Sequence, residues 1–139
     1  KGLPGKNITN FCGKPLLAWT IEHCLEGGAA PVYVSSDSDE ILTIAENYGA
    51  FKIQRPKRIS GDTSDSESGW LHALEVIEDE AAKFDWIMAP QVTSPLRTSA
   101  DIRKGLEIAK GDNYDSIFSC CVSGTYFFWT EIKPRQIYS

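Results

Sequence analysis

Pro31-Val32-Tyr33-Val34-Ser35-Ser36-Asp37 runs into Ser38-Asp39-Glu40-Ile41 and, beyond Gly49, into Ala50-Phe51-Lys52-Ile53-Gln54; this stretch decides the fold class. The first run is short, β-branched or aromatic, and bounded by turn formers, so it reads as a strand whose Ser-Ser-Asp end opens into a loop. Asp37 and Glu40 are spaced as a capping pair, and Ile41, Ile44, Ala45 and Tyr48 then recur at helical intervals until Gly49 stops the helix. Asp37 is therefore expected to be an N-cap, with a ligand role as its alternative. A second short strand follows over residues 51–54. Strand, helix, strand in this order is a βαβ unit, and its two strands run parallel.

The alternation continues on both sides. Leu17, Ile21, Cys24 and Leu25 mark an amphipathic helix, with Pro15 in its first turn and Gly27-Gly28 ending it. Downstream, Trp70, Leu74, Ile77 and Ala81 define a helix starting near residues 64–66 and running to about residue 83. Trp86-Ile87-Met88-Ala89 reads as a buried strand. Ile102, Leu106 and Ala109 lie on a helix capped by Thr98 or Ser99 and closed by Gly111. Residues 115–120 read as a further strand, and residues 126–129 as a candidate for another. Repeated βαβ units imply an α/β fold: a mostly parallel sheet with helices on both faces.

At 139 residues the chain has room for one core and not for a second domain. Its net charge of −5 argues against a nucleic-acid partner, which calls for a basic face. Apolar runs such as Leu16-Leu17-Ala18-Trp19 fall far short of the roughly 20 residues that span a bilayer. Cys12, Cys24, Cys120 and Cys121 show no CxxC spacing, which speaks against thiol metal ligation and for free thiols in a reducing compartment, the cytoplasm. His23 and His72 fall within helix patterns with no motif around either, so structural or surface roles are expected for both.

Three polar loops remain. Lys1-Gly2-Leu3-Pro4-Gly5-Lys6-Asn7 combines glycines that let backbone N–H groups approach an anion with a stiffening Pro4 and the positive charges of Lys1 and Lys6. It reads as a phosphate-binding loop, against the alternative of a loose basic terminus. Residues 55–68 form a Ser-, Asp- and Gly-rich loop long enough to be a site candidate on length alone. Residues 91–97 follow the C-terminal end of a strand, where ligands of open α/β sheets gather. Converging at one sheet edge, the three could hold a nucleotide. A Walker A loop is excluded, because Gly5-Lys6 is followed by Asn7 rather than Ser or Thr, and no GxGxxG occurs. Phosphate loops in such folds join a strand to a helix, so a first, central strand is expected ahead of Lys1, missing from this chain.

The loops resemble those of the cytidylyltransferases that activate N-acylneuraminate (sialic acid) and related nonulosonic acids. Lys1-Gly2-Leu3-Pro4-Gly5-Lys6-Asn7 is similar to the second half of that family's Arg-x-x-Ser-Lys-Gly-x-Pro-x-Lys-Asn loop. Lys14-Pro15-Leu16-Leu17 is similar to its next motif, and Val34-Ser35-Ser36-Asp37 to its Val-Ser-Thr-Asp strand end. Arg55-Pro56 followed by Asp62-Thr63-Ser64 resembles the base-binding stretch. Gln91-Val92-Thr93-Ser94-Pro95-Leu96-Arg97 resembles the Gln-x-Thr-Ser-Pro-Leu-Arg signature, and Tyr114-Asp115-Ser116-Ile117-Phe118-Ser119 the strand that follows. Their order covers the chain to about residue 121.

The resemblance implies a Rossmann-like nucleotidyltransferase sandwich of three layers and a reaction that moves CMP from CTP to the anomeric hydroxyl of a 2-keto sugar acid, with Mg²⁺. It implies that Lys1 and Lys6 hold the triphosphate and stabilise the leaving pyrophosphate, and that Asn7 supports the nucleotide. Arg55 and Ser66 would contact cytosine and Gln91 the sugar acid. For Arg97 a carboxylate clamp stands beside a surface or dimer-contact role. A homodimer is implied. The family's leading strand and its later, paired metal-binding aspartates are absent, so residues 1–139 read as a partial domain, inactive alone. Two alternatives are a 3-deoxy-manno-octulosonate cytidylyltransferase and a non-catalytic nucleotide-binding domain.

Overall fold

A computed structural model of the chain describes residues 3–61, 64–78, 84–111, 114–120, 128–129 and 134–135. A one-turn 3-10 helix at Lys6–Ile8 leads into an antiparallel hairpin, β1 (Asn10–Phe11) and β2 (Lys14–Pro15), and then α1 (Leu16–Gly27). The Leu16 N–H donates to the Thr9 carbonyl at 3.0 Å, fixing the turn to the head of α1. Trp19 Nε1 donates to the Phe11 carbonyl at 2.8 Å, and Lys14, ion-paired with Glu22, lies 3.7 Å from the centre of the Trp19 ring. A two-stranded hairpin alone is marginal in water. These contacts hold it to the helix.

The βαβ unit forms where the sequence predicts it. Strand β3 (Tyr33–Ser36), helix α2 (Asp39–Asn47) and strand β4 (Phe51–Gln54) follow in order, and β3 pairs parallel to β4 from Tyr33↔Phe51 to Ser36↔Gln54. Phe51 N–H to Val32 O and Arg55 N–H to Ser36 O, each 2.8 Å, extend the ladder at both ends. Gly28 and Gly49 close α1 and α2 with left-handed backbone, as their positions predict. The core lies between α1 and this unit: Leu17, Ile21, Ala45 and Ala50 are buried, with Val32, Val34, Ile41, Ile44 and Tyr48 packed around them. Burying a side chain such as Ile21 contributes about 1.5–3 kcal/mol, which holds α1 against α2.

Helix α3 (Ser66–Glu78) and helix α4 (Ser99–Gly111) follow, and the short pair β5 (Phe128–Trp129) and β6 (Pro134–Arg135) completes the described structure. α4 crosses α1 at very short range. A Cβ added to Gly27 would stand 2.5 Å from Ile102 Cγ2 and 2.9 Å from the Ser99 carbonyl oxygen, so only a glycine permits this approach. Ile102, buried at the crossing, and an Arg103 Nη2–Glu26 O bond of 3.1 Å secure it.

Several expectations need correction. The cap of α2 is Ser38, whose Oγ accepts from the Ile41 N–H at 3.4 Å; Asp37 is exposed one residue outside. Pro15 is the N-cap of α1 rather than part of its first turn. Residues 86–89 and 115–120 form no strand, and Ile87 and Phe118 are 55% and 85% exposed. An extended segment becomes a strand only beside another backbone, and among the described residues none pairs with either segment; the parallel pairing there is β3 with β4. On α3, Ile77 is buried but Trp70 is 49% exposed. The expected residues 79–83 of that helix, and 126–127 of the last candidate strand, lie outside the described residues. The architecture is α/β with short sheets.

Candidate nucleotide-binding site

The first polar loop is a compact turn. Gly5 adopts φ 65°, a left-handed conformation costly for other residues, and its carbonyl accepts from the Ile8 N–H, the Thr9 N–H and Thr9 Oγ1 at 3.0, 3.1 and 3.2 Å. This winding leaves Lys6 exposed to solvent and half-buries Asn7. Asn7 Oδ1 has no hydrogen-bond partner among the described residues although the atom is buried. The turn packs on α1 and α2. Lys1, expected beside Lys6, lies outside the described residues.

Arg55 follows directly on the C-terminal end of β4 and reaches across to the end of β3. Its Nη2 donates to the Ser35 carbonyl at 2.6 Å and its Nε to Ser35 Oγ at 3.1 Å. The other side of the guanidinium faces the first turn of α3: a Cβ on Gly69 would lie 3.4 Å from Arg55 Cζ. Ser66 opens that helix and is exposed. The helix start is fixed by Asp65, whose Oδ1 accepts from the Ser68 N–H at 2.6 Å. That bond, with the Ser68 hydroxyl, holds the Asp65 carboxyl below the ordinary carboxylate range. Arg55 thus lies between the end of β3 and the first turn of α3, the helix that Ser66 opens.

The third loop is turned by Ser94 N–H to Gln91 O at 3.2 Å, and Val92 anchors it on the buried cluster of α1 and α2. Gln91 is exposed. Arg97 Nη1 donates to the Gln91 carbonyl at 3.4 Å and Nη2 to Thr20 Oγ1 on α1 at 3.3 Å, while its buried Nε lacks a partner among the described residues. Beside it the Cys24 thiol is pushed up by burial, opposed by the positive charge of Arg97. Thr98 caps α4 in a closed exchange: its N–H and hydroxyl donate to Asp101 Oδ2 at 2.8 and 2.7 Å, and its Oγ1 accepts from the Asp101 N–H at 3.3 Å.

Each loop is thus bound to the framework of α1, β3 and α2. Lys6 and Asn7 share the first turn, Arg55 is held on Ser35 of β3 while Ser66 opens α3, and Gln91 and Arg97 are joined within the third loop. Of the supporting residues, Ser35 stands inside the Val34–Asp37 motif, whereas Gly69 and Thr20 lie outside every motif. Of these last two, Thr20 alone carried a usable signal, a hydroxyl standing within the apolar stripe of Leu17, Ile21 and Cys24. His23 lies 5.9 Å from the Trp19 ring, and Nδ1 of both His23 and His72 is buried without a partner among the described residues. Cys12, Cys24 and Cys120 are free thiols. A concavity of ≈ 460 Å³ opens at the opposite, N-terminal ends of the strands, between Tyr33, Phe51 and Val76, and includes none of the expected site residues. Among the described residues no three His, Cys, Asp or Glu side chains gather as metal ligands, and no helix is long and apolar enough to cross a membrane.

The model of the cytidylyltransferase family matches residues 1–127 of the chain. The chain belongs to the cytidylyltransferase family. The chain is 33% identical over 109 residues to the pseudaminic acid cytidylyltransferase of Campylobacter jejuni, covering 77% of the chain and 47% of that protein. It is 34% identical over 140 residues to the N-acylneuraminate cytidylyltransferase of Escherichia coli, covering 99% of the chain and 30% of that protein. With N-acylneuraminate cytidylyltransferase B of Danio rerio it shares 30% identity over 136 residues, 98% of the chain and 31% of the relative. It therefore spans between about a third and a half of the length of these curated relatives. The family match includes all three loops described above.

Proposed function

We propose that the complete protein transfers CMP from CTP to the anomeric hydroxyl of a sialic-acid-type 2-keto sugar acid and releases pyrophosphate. The observation that carries this reading is the Lys6 turn, a left-handed glycine turn presenting an exposed lysine and docked on α1 and α2, inside a family match that runs through all three loops. The relatives' names divide between N-acylneuraminate and pseudaminic acid, both nonulosonic acids, and this defines the substrate class to be tried.

In the proposed reaction the anomeric hydroxyl oxygen attacks the α-phosphorus and gives up its proton to solvent, the bond from that phosphorus to the bridging oxygen breaks, and pyrophosphate departs with the electron pair. Displacement of this kind depends on positioning and on neutralising charge. Lys6, with Lys1, takes the triphosphate; Lys6 is exposed to solvent. Asn7 supports the nucleotide from the same turn; its buried Oδ1 has no partner among the described residues. Arg55 and Ser66 face the base, and Gln91 the sugar acid. Mg²⁺, with the phosphates supplying several of its ligands, would neutralise charge on the departing pyrophosphate. The proposal includes a homodimer in the cytoplasm, with the βαβ unit lying in a mostly parallel three-layer sandwich.

The test is pyrophosphate release by the full-length protein with CTP, Mg²⁺ and one acid at a time: N-acetylneuraminate, a pseudaminate, or 3-deoxy-manno-octulosonate. Release with a nonulosonic acid is the expected result. Turnover with the octulosonate alone would reassign the substrate, and CTP binding by calorimetry without release for any acid would leave a nucleotide-binding domain.

A further inference from the structure

Thr20 is a polar residue where α1 has no local use for one. It is 6% exposed and shares the buried side of the helix with Leu17, Ile21 and Cys24. The protein partner found for its hydroxyl is Arg97, 77 residues away, whose Nη2 donates to Thr20 Oγ1 at 3.3 Å. Through Nη1 the same guanidinium holds the Gln91 carbonyl at 3.4 Å, so one side chain joins the core helix to the far end of its own loop. Arg97 Nε is buried without a partner among the described residues, which leaves these two bonds to hold the guanidinium. A clamp on a substrate carboxylate works by presenting two N–H groups in a parallel fork. Both Nη groups of Arg97 are instead turned to the protein.

We infer that Thr20 and Arg97 are positioning residues that set the Gln91 loop, and through it the recognition of the sugar acid, without touching substrate. The inference rests on the proposed assignment of Gln91 to the sugar acid. Val92 anchors the loop by apolar contact; the Thr20–Arg97–Gln91 chain fixes its orientation. Each of the two bonds is long for N–H···O, so the orientation depends on both being present.

Thr20→Val keeps the shape of the buried side chain and deletes the acceptor, whereas Thr20→Ser retains it. In the full-length enzyme Thr20→Val should raise KM for the sugar acid by about 5–10-fold, with KM for CTP held within about twofold. Thr20→Ser should stay near the wild type. Arg97→Lys, which cannot reach both oxygens at once, should repeat the Thr20→Val pattern, and where the valine variant does not fold, amide exchange of residues 91–97 in Arg97→Lys decides. Backbone amides of residues 91–97 should exchange faster in Thr20→Val and Arg97→Lys than in the wild type and Thr20→Ser. A direct carboxylate clamp predicts the opposite split: a raised KM in Arg97→Lys with Thr20→Val unchanged. That result, a parallel rise in both KM values, or unaltered amide exchange would overturn the inference. If the wild type releases no pyrophosphate with any nonulosonic acid, the proposed function fails, and the exchange measurement still decides whether Thr20 holds the loop.

Discussion

A methyl group on Gly27 has nowhere to go. Ile102 Cγ2 and Cβ stand 2.5 and 2.6 Å from where it would be, and the third neighbour, the Ser99 carbonyl oxygen, is backbone that cannot rotate aside. Gly27→Ala should therefore destabilise the protein by about 1–3 kcal/mol, as overpacking does, read as a lower denaturant midpoint. Gly111→Ala is the control, since nothing among the described residues lies within 4 Å of the added atom. Adjacent glycines at the end of an apolar helix read naturally as a stop signal, and Gly28 is one. The role of Gly27 was not legible because it depends on a helix 72 positions further on. Arg55 and Ser35 are a similar case. Both residues stand inside motifs that the sequence makes conspicuous, yet the bond between them exists only because β3 and β4 pair in parallel with Ser36 opposite Gln54.

Elements were legible wherever local chemistry alone defines them. The βαβ unit, the glycine end of α1 and the Thr98 cap follow from apolar spacing and from turn and cap residues. The first turn of α2 shows how fine the limit is. Asp37 and Ser38 are both good capping residues, and sequence spacing favoured Asp37 through Glu40; the backbone instead turns at Ser38, held by the Ser38 N–H donating to buried Ser36 Oγ at 3.1 Å. Ser38→Ala should lower stability by about 1 kcal/mol, and Asp37→Ala should leave it unchanged, both measured by urea unfolding. Residues 86–89 failed for a different reason. A four-residue apolar run carries no period that separates a buried strand from an apolar loop, and its state is set by what lies beside it.

At the scale of the whole molecule, two exposed carboxylates share one task at two helix starts. Asp65 and Asp101 are both held below the ordinary Asp value of 3.8, the first by the Ser68 N–H and hydroxyl, the second by the Thr98 N–H and hydroxyl. A carboxyl whose pKa is depressed on folding stabilises the fold above its unfolded pKa, and that contribution is lost as pH falls through the folded value. Thermal stability should accordingly decline as the pH drops below about 4, and an Asp65→Asn/Asp101→Asn double variant should show a flatter acid limb. An equally steep limb in the double variant would assign acid sensitivity to other groups. The candidate site as a whole was legible in order but not in support. Its loops are contiguous runs, each readable by itself, whereas what aims them, Thr20 for one and Ser35 for another, comes from residues distant in sequence.

Helix α1 carries two of these loops on one rod. The Lys6 turn is tied in at Leu16, through the Thr9 carbonyl, and the Gln91 loop at Thr20, through Arg97. Four residues of α-helix separate the two attachments, a rise of about 6 Å. The spacing of the loops is thus a measured length cut from a rigid gauge. Substitutions on the outer surface of α1 leave the gauge intact. One residue inserted between Leu16 and Thr20 would lengthen it by about 1.5 Å and swing one attachment by roughly 100° about the helix axis, so calibration between the two loops tolerates changes of side chain far better than changes of count.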